Sequence, residues 1–206
     1  MDIHKIYRIF QNWFRPRRMR QMAKELGLSA ETRVLDIGGS GLNWEYLSVK
    51  PQITIVNIDT TPVGAYRQVV GDACQLPFAD HAFDLAFSNS VIEHVPDHDA
   101  FAKEAMRVAE SYYVQTPNYW FPIEPHLLAP IVHFLPIHWR RRLVRRFTGW
   151  GVIAKPTQDE IDEFISTTNL LKVSEILQLF PLGKLNREKV LGLTKSLIVT
   201  GGKVRN

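Results

Sequence analysis

The stretch Val34-Leu35-Asp36-Ile37-Gly38-Gly39-Ser40-Gly41-Leu42-Asn43-Trp44-Glu45-Tyr46-Leu47 runs from a short apolar segment straight into three glycines and a serine within four positions. A buried strand that passes into so much backbone freedom suits the first strand and turn of an open α/β sheet. There the strand's carboxyl end is the usual floor of a ligand site. Glycines let backbone N–H groups approach a ligand closely, and a following helix presents its positive end, a cofactor cradle with Asp36 at its junction that does not by itself name the cofactor.

Working outward, the same rhythm continues. Ile53 to Asp59, Tyr66 to Val70, Phe83 to Ser88 and Tyr112 to Thr116 are short β-branched or aromatic runs bounded by Gly, Pro, Asp or Asn. Helix-like stretches lie between several of them, notably Leu42 to Val49 and Asp97 to Ala109. This alternation predicts a Rossmann-like, mostly parallel sheet with helices on both faces. The opening segment reads as an amphipathic helix interrupted near Pro16 and ended by Gly27, a helical lid over residues 1–30. Residues 117–156 break the pattern with five prolines and three histidines before Trp139, and read as an insertion ending in a basic helix. Thr157 to Leu170 is a predicted helix with Thr157 and Glu160 as capping box, and Ser174 to Phe180 another. Two strand-like runs joined at Gly192 follow.

The composition is that of one globular domain: 206 residues, 45% hydrophobic and 22% charged. The lone Cys74 excludes an internal disulfide and points to a reducing, cytoplasmic setting. The basic, aromatic amino terminus reads neither as a cleaved signal nor as a membrane span. The net charge of +4 is uneven: residues 1–33 carry eight Lys or Arg against three acids, and residues 139–150 five arginines and no acid. An acidic body with two basic, aromatic patches fits a local anionic partner rather than general nucleic-acid binding.

Spacing excludes two nucleotide readings. No Lys occurs in the glycine turn, so it is not a phosphate-binding P-loop, and the third position of a dinucleotide fingerprint begun at Gly39 is Trp44. Asp59 and Asp72 close the second and third strands, where carboxylates can take a ribose and an adenine edge. Any one of these acids alone would read as a solvated strand end; all three stand at successive strand exits.

V-L-D-I-G-G-S-G, I-D-T-T-P and G-D-A-C-Q-L-P-F-A-D-H-A-F-D-L-A-F-S-N-S-V-I-E-H-V, in this order, resemble the motifs of class I S-adenosylmethionine-dependent methyltransferases, specifically the type 11 group. The turn departs from that group's D-x-G-x-G-x-G, as though one residue were missing. The resemblance implies a Rossmann-like seven-stranded, mostly parallel sheet with its last strand antiparallel, and S-adenosylmethionine as cofactor. Asp36, Gly38, Gly39 and Gly41 would hold its methionine end, Asp59 and Thr60 the ribose, Asp72 and Ala73 the adenine, and Ser88, Asn89 and Ser90 the floor beneath the sulfonium. His94 is one candidate base; His126, with Tyr119 and Glu124 nearby, is the other. No metal is expected: His94 and His98 have helical spacing, but Pro96 lies between them. The acceptor implied is a small or lipid-linked molecule. The basic aromatic helices suit contact with an anionic membrane surface, an RNA acceptor, or plain packing on the domain. A catalytically silent, partner-binding relative is the reading from another class.

Overall fold

The computed structural model describes residues 3–59 and 61–202, with side chains from residue 14 onward. Five parallel strands form its centre: β1 (Arg33–Ile37), β2 (Gln52–Asn57), β3 (Arg67–Val70), β4 (Phe83–Asn89) and β5 (Ala109–Pro117). A short hairpin, β6 (Ile123–Glu124) and β7 (Ala129–Pro130), stands apart from them. Strands β8 (Lys184–Val190) and β9 (Leu193–Gly202) complete a seven-stranded sheet of order β3-β2-β1-β4-β5-β9-β8, in which β9 runs antiparallel to both neighbours. The expected architecture is therefore present. Strand order reverses between β1 and β4, and the crevice beyond their carboxyl ends is where an open sheet of this kind binds ligands.

Strand β1 shows how the sequence positions this crevice. Leu35 and Ile37 face the core shared with helix α2 (His98–Arg107), while Val34 faces the opposite core beneath helix α1 (Ile3–Glu25). Apolar side chains cover both faces, so the run carries no polar alternation until Asp36. Asp36 shares Val34's parity and is wholly buried.

Two expectations need correction. The helix expected over Leu42 to Val49 is only a 3₁₀ turn, Leu42–Tyr46. Pro51 leaves it no room, and the sheet face it would cover is taken by α1, whose Met19 and Met22 pack beside Val34 and Trp44. Nor does Pro16 interrupt α1, which runs unbroken through it. A proline removes one ladder hydrogen bond; the apolar packing beyond it sustains the helix. Met19 and Met22 make this half of α1 part of the core on that face of the sheet. The helix ends as expected, with Gly27 at φ +64° and the Leu28 N–H on the Ala23 carbonyl at 2.9 Å.

The insertion builds its own small core. Helices α3 (Ile137–Phe147), α4 (Gly149–Ala154) and α5 (Gln158–Thr167) enclose Leu127, Val132, Val144, Ile161 and Ile165. Thr157 and Glu160 form the expected capping box at the start of α5. Helix α6 (Val173–Leu179) returns to the main sheet, where Ile176 joins α2 in the core.

Candidate functional site

The glycine turn leaves β1 at the crevice. Gly38 and Gly41 hold φ +70° and +76°, a region L side chains rarely enter, whereas Ser40 takes ordinary backbone angles. The shortened turn thus puts glycine at both left-handed positions. Gly39 is required for another reason: a Cβ there would lie 2.0 Å from Asp36 Oδ2. Asn57 at the end of β2 ties the turn down by donating from Nδ2 to the Gly39 carbonyl at 3.0 Å.

Asp36 is the electrostatic centre of this cradle. Trp44 Nε1 donates to its Oδ2 at 2.8 Å, while its Oδ1 is buried with no hydrogen-bond partner. Burial pushes the carboxyl up to about 7, against the lowering effects of Trp44 and the Arg15 guanidinium. A buried acceptor aimed at nothing is a place for a ligand's donor. The residues present therefore fit a cationic, amine-bearing group held against Asp36 and the turn.

The other cofactor candidates line the same edge. Asp59 is exposed just beyond β2, and its Oδ1 accepts the Thr61 N–H at 2.9 Å; Thr60 lies outside the described residues. Asp72 is likewise exposed, with Oδ1 on the Cys74 N–H at 2.8 Å, and Ala73 beside it is half-buried. Ile58, 82% exposed, lies between the Asp59 and Asn57 positions and offers an apolar surface suited to a flat ring. At the end of β4, Ser88 is buried and donates to the Ile37 carbonyl at 3.4 Å. Ser90 sits at φ +58° and hydrogen-bonds Gln115 through both backbone and side chain. Asn89 Oδ1 accepts from Arg18 Nη2 at 2.6 Å. Sequence reasoning missed Arg18 and Trp44 as site-shaping residues, because each depends on a partner in another element.

The candidate bases meet on the other side of β4. His94 and His126 stand edge to face with ring centres 5.0 Å apart. His126 Nδ1 lies 2.7 Å from Glu124 Oε1, and Nε2 faces Glu93 Oε1 at 3.9 Å. Glu93 is fully buried; Thr116 donates to its Oε2 at 3.0 Å, and its Oε1 has no hydrogen-bond partner. Burial lifts the Glu93 carboxyl to about 7 and lowers the His94 ring to about 4, the latter helped by the neighbouring His126. Burial alone would lower His126 too, but the bond to Glu124 and the two carboxylate charges raise it. Tyr119 is not in this group. Its ring packs against Trp120, His133 and Phe134, and it lines a cavity of about 330 Å³ shared with Glu124, Arg140 and Phe164.

Residues 35–111 match the methyltransferase domain family. Tocopherol O-methyltransferase, chloroplastic, of Arabidopsis thaliana is 36% identical over 93 residues, which cover 37% of this chain and 27% of that protein. The chain thus matches about a quarter of that relative's length. Among solved structures, the YcgJ protein of Bacillus subtilis superposes with a TM-score of 0.57 at 17% identity, covering 91% of this chain and 98% of that one. The 1,6-didemethyltoxoflavin-N1-methyltransferase of Burkholderia thailandensis, solved with bound 1,6-didemethyltoxoflavin and S-adenosylhomocysteine, gives a TM-score of 0.58 at 16% identity, covering 98% of this chain and 84% of that one. Residues 35–111 thus carry a methyltransferase domain, and the sheet around them shares its fold with these solved structures.

Proposed function

We propose that this protein transfers a methyl group from S-adenosylmethionine to a small-molecule or lipid-linked acceptor. The observation that carries the reading is the buried, half-satisfied Asp36 beside a glycine turn at the switch point, with Asp59 and Asp72 at the next two strand exits. Asp36 and the turn through Gly41 would take the methionine end, Asp59 the ribose hydroxyls, Asp72 and Ala73 the adenine, and Ser88 to Ser90 the floor. The bound cofactor supplies an electrophilic methyl on a sulfonium leaving group. An acceptor would take that methyl through a lone pair, with S-adenosylhomocysteine and, from an O–H or N–H acceptor, a proton as the other products. The chain's own contribution is alignment and exclusion of water. His94 and His126 belong to the acceptor side, and Tyr119 shapes the adjoining cavity.

Calorimetric titration with S-adenosylmethionine and S-adenosylhomocysteine tests this reading, with a nicotinamide dinucleotide as the negative comparison. Asp59→Ala should weaken binding by about 10- to 100-fold, the usual effect of losing a charged acceptor. Normal affinity in a folded variant would remove Asp59 from the ribose site.

The lipid-linked alternative has its own support. Trp139 and Phe147 on α3 are exposed by 50% and 70%, with Arg142, Arg145 and Arg146 exposed alongside them. The helix holds to the domain by its other face, through Val144 and the Arg141 to Asp162 ion pair, so the packing explanation covers Arg141 but not these five. Apolar rings flanked by arginines fit a cytoplasmic protein lying against an anionic lipid surface. No described helix is long and apolar enough to cross a membrane. Cosedimentation with phosphatidylserine vesicles should fall at least 10-fold in Arg142→Glu/Arg146→Glu and decline with salt. Equal binding to neutral and anionic vesicles would reject an electrostatic surface.

A further inference from the structure

We propose that Glu93, His94 and His126 form a binding site for a divalent transition metal ion of the zinc type. The three residues offer one oxygen and two nitrogens within 4.8 Å of one another. Two imidazoles and one carboxylate are a donor set suited to zinc and its neighbours in the first transition series rather than to calcium or magnesium. His94 and His98 are the wrong pair to weigh for metal binding; the partner comes from the insertion, 32 residues after His94.

The hydrogen bonds around the cluster orient these donors. With Nδ1 donating to Glu124 at 2.7 Å, the neutral His126 ring presents the lone pair of Nε2 to Glu93 Oε1. Two acceptors then face each other across 3.9 Å, too far for a direct hydrogen bond and near the roughly 3.3–3.6 Å that separates two ligands of one tetrahedral zinc. Glu93 Oε1 is the same buried atom that lacks a hydrogen-bond partner. Glu124 supplies the second carboxylate that metal-bound histidines commonly carry, and is itself held by the Leu127 N–H. His94 Nδ1 lies 3.3 Å from the Thr168 hydroxyl, so a ring donating there leaves Nε2 free to ligate.

Three protein ligands leave a fourth position open, the pattern of catalytic rather than structural zinc. An acceptor oxygen or nitrogen entering that position would be polarised, a consequence that rests on the methyl-transfer reading. Metal binding itself does not, so it is measured separately.

The experiment uses the full chain without an affinity tag, stripped with a chelator. Zn²⁺ is titrated in competition with a chromophoric chelator, and Co²⁺ is followed by its visible absorption. One equivalent should bind, with a cobalt spectrum of low coordination number. His94→Ala removes a side chain that is packed against His126 but still reaches solvent, and should weaken binding at least 100-fold without unfolding the domain; His126→Ala should do the same. Glu124→Gln should weaken it by about 10- to 100-fold. His138→Ala, on the exposed α3, should change nothing. Failure of the folded wild type to retain one equivalent would overturn the proposal, as would wild-type affinity in folded His94→Ala and His126→Ala.

Discussion

Asp36→Asn should make the unliganded protein more stable at pH 8 and a much poorer binder of S-adenosylmethionine. The sign follows from the direction of the Asp36 shift. Its ordinary value is 3.8 and burial raises it to about 7, so between these two values the folded protein keeps a proton that the unfolded chain has released. Stability therefore falls as pH rises across this window, and the loss is complete above it, at about 4 kcal/mol for the whole interval. Asparagine has no such dependence. It keeps an acceptor for Trp44 Nε1 but buries an amide whose N–H groups lack partners, at about 1–3 kcal/mol. The net gain at pH 8 should be about 1–3 kcal/mol and should vanish or reverse near pH 4. Urea unfolding at several pH values reads this directly: parallel profiles for the two proteins would mean that Asp36 is not the titrating group. In the same variant the cofactor's cationic end loses its carboxylate, so affinity should drop by 10-fold or more. A residue that destabilises the empty protein and is needed by the loaded one marks a binding site.

The fold was legible where the physics is local or repetitive. Strand β1, buried on both faces, shows as an unbroken apolar run, and the capping box at Thr157 and Glu160 depends only on residues three apart. Asp36, Asp59 and Asp72 were legible because each stands where an apolar run ends. The 3₁₀ turn at Leu42–Tyr46 was not, since its apolar spacing suits a helix and only the occupation of that sheet face by α1 reveals otherwise. The same holds for the site's outer parts. Nothing near His94 in the chain announces His126, and nothing near Asn89 announces Arg18; β6, β7 and α1 bring them together over 32 and 71 residues. Tyr119 shows the converse, a neighbour of His126 in sequence whose ring packs against Trp120, His133 and Phe134 instead.

Arg18 is the pin by which α1 holds the crevice, and its removal should be felt in both folding and cofactor binding. The side chain is 8% exposed, yet it donates to Asn89 at the end of β4 and forms an ion pair with Glu188 of β8 at 3.2 Å. Truncating one member of a buried pair typically costs about 3–5 kcal/mol, because the other charge stays desolvated. Lys195 lies 3.6 Å from Glu188 and would keep that carboxylate partly compensated, so Arg18→Met should cost toward the lower end, about 3 kcal/mol. Arg18→Met/Glu188→Leu removes both charges and should recover much of the loss, a coupling that a double-mutant cycle measures by chemical denaturation. Additive effects would mean that the ion pair contributes nothing of its own. Asn89 separates the structural from the functional consequence. It loses its only guanidinium contact among the described residues in either variant, so cofactor affinity should stay reduced in the double variant even where stability returns. If affinity and stability recover together, Asn89 belongs to the packing of α1 and not to the floor beneath the methyl group.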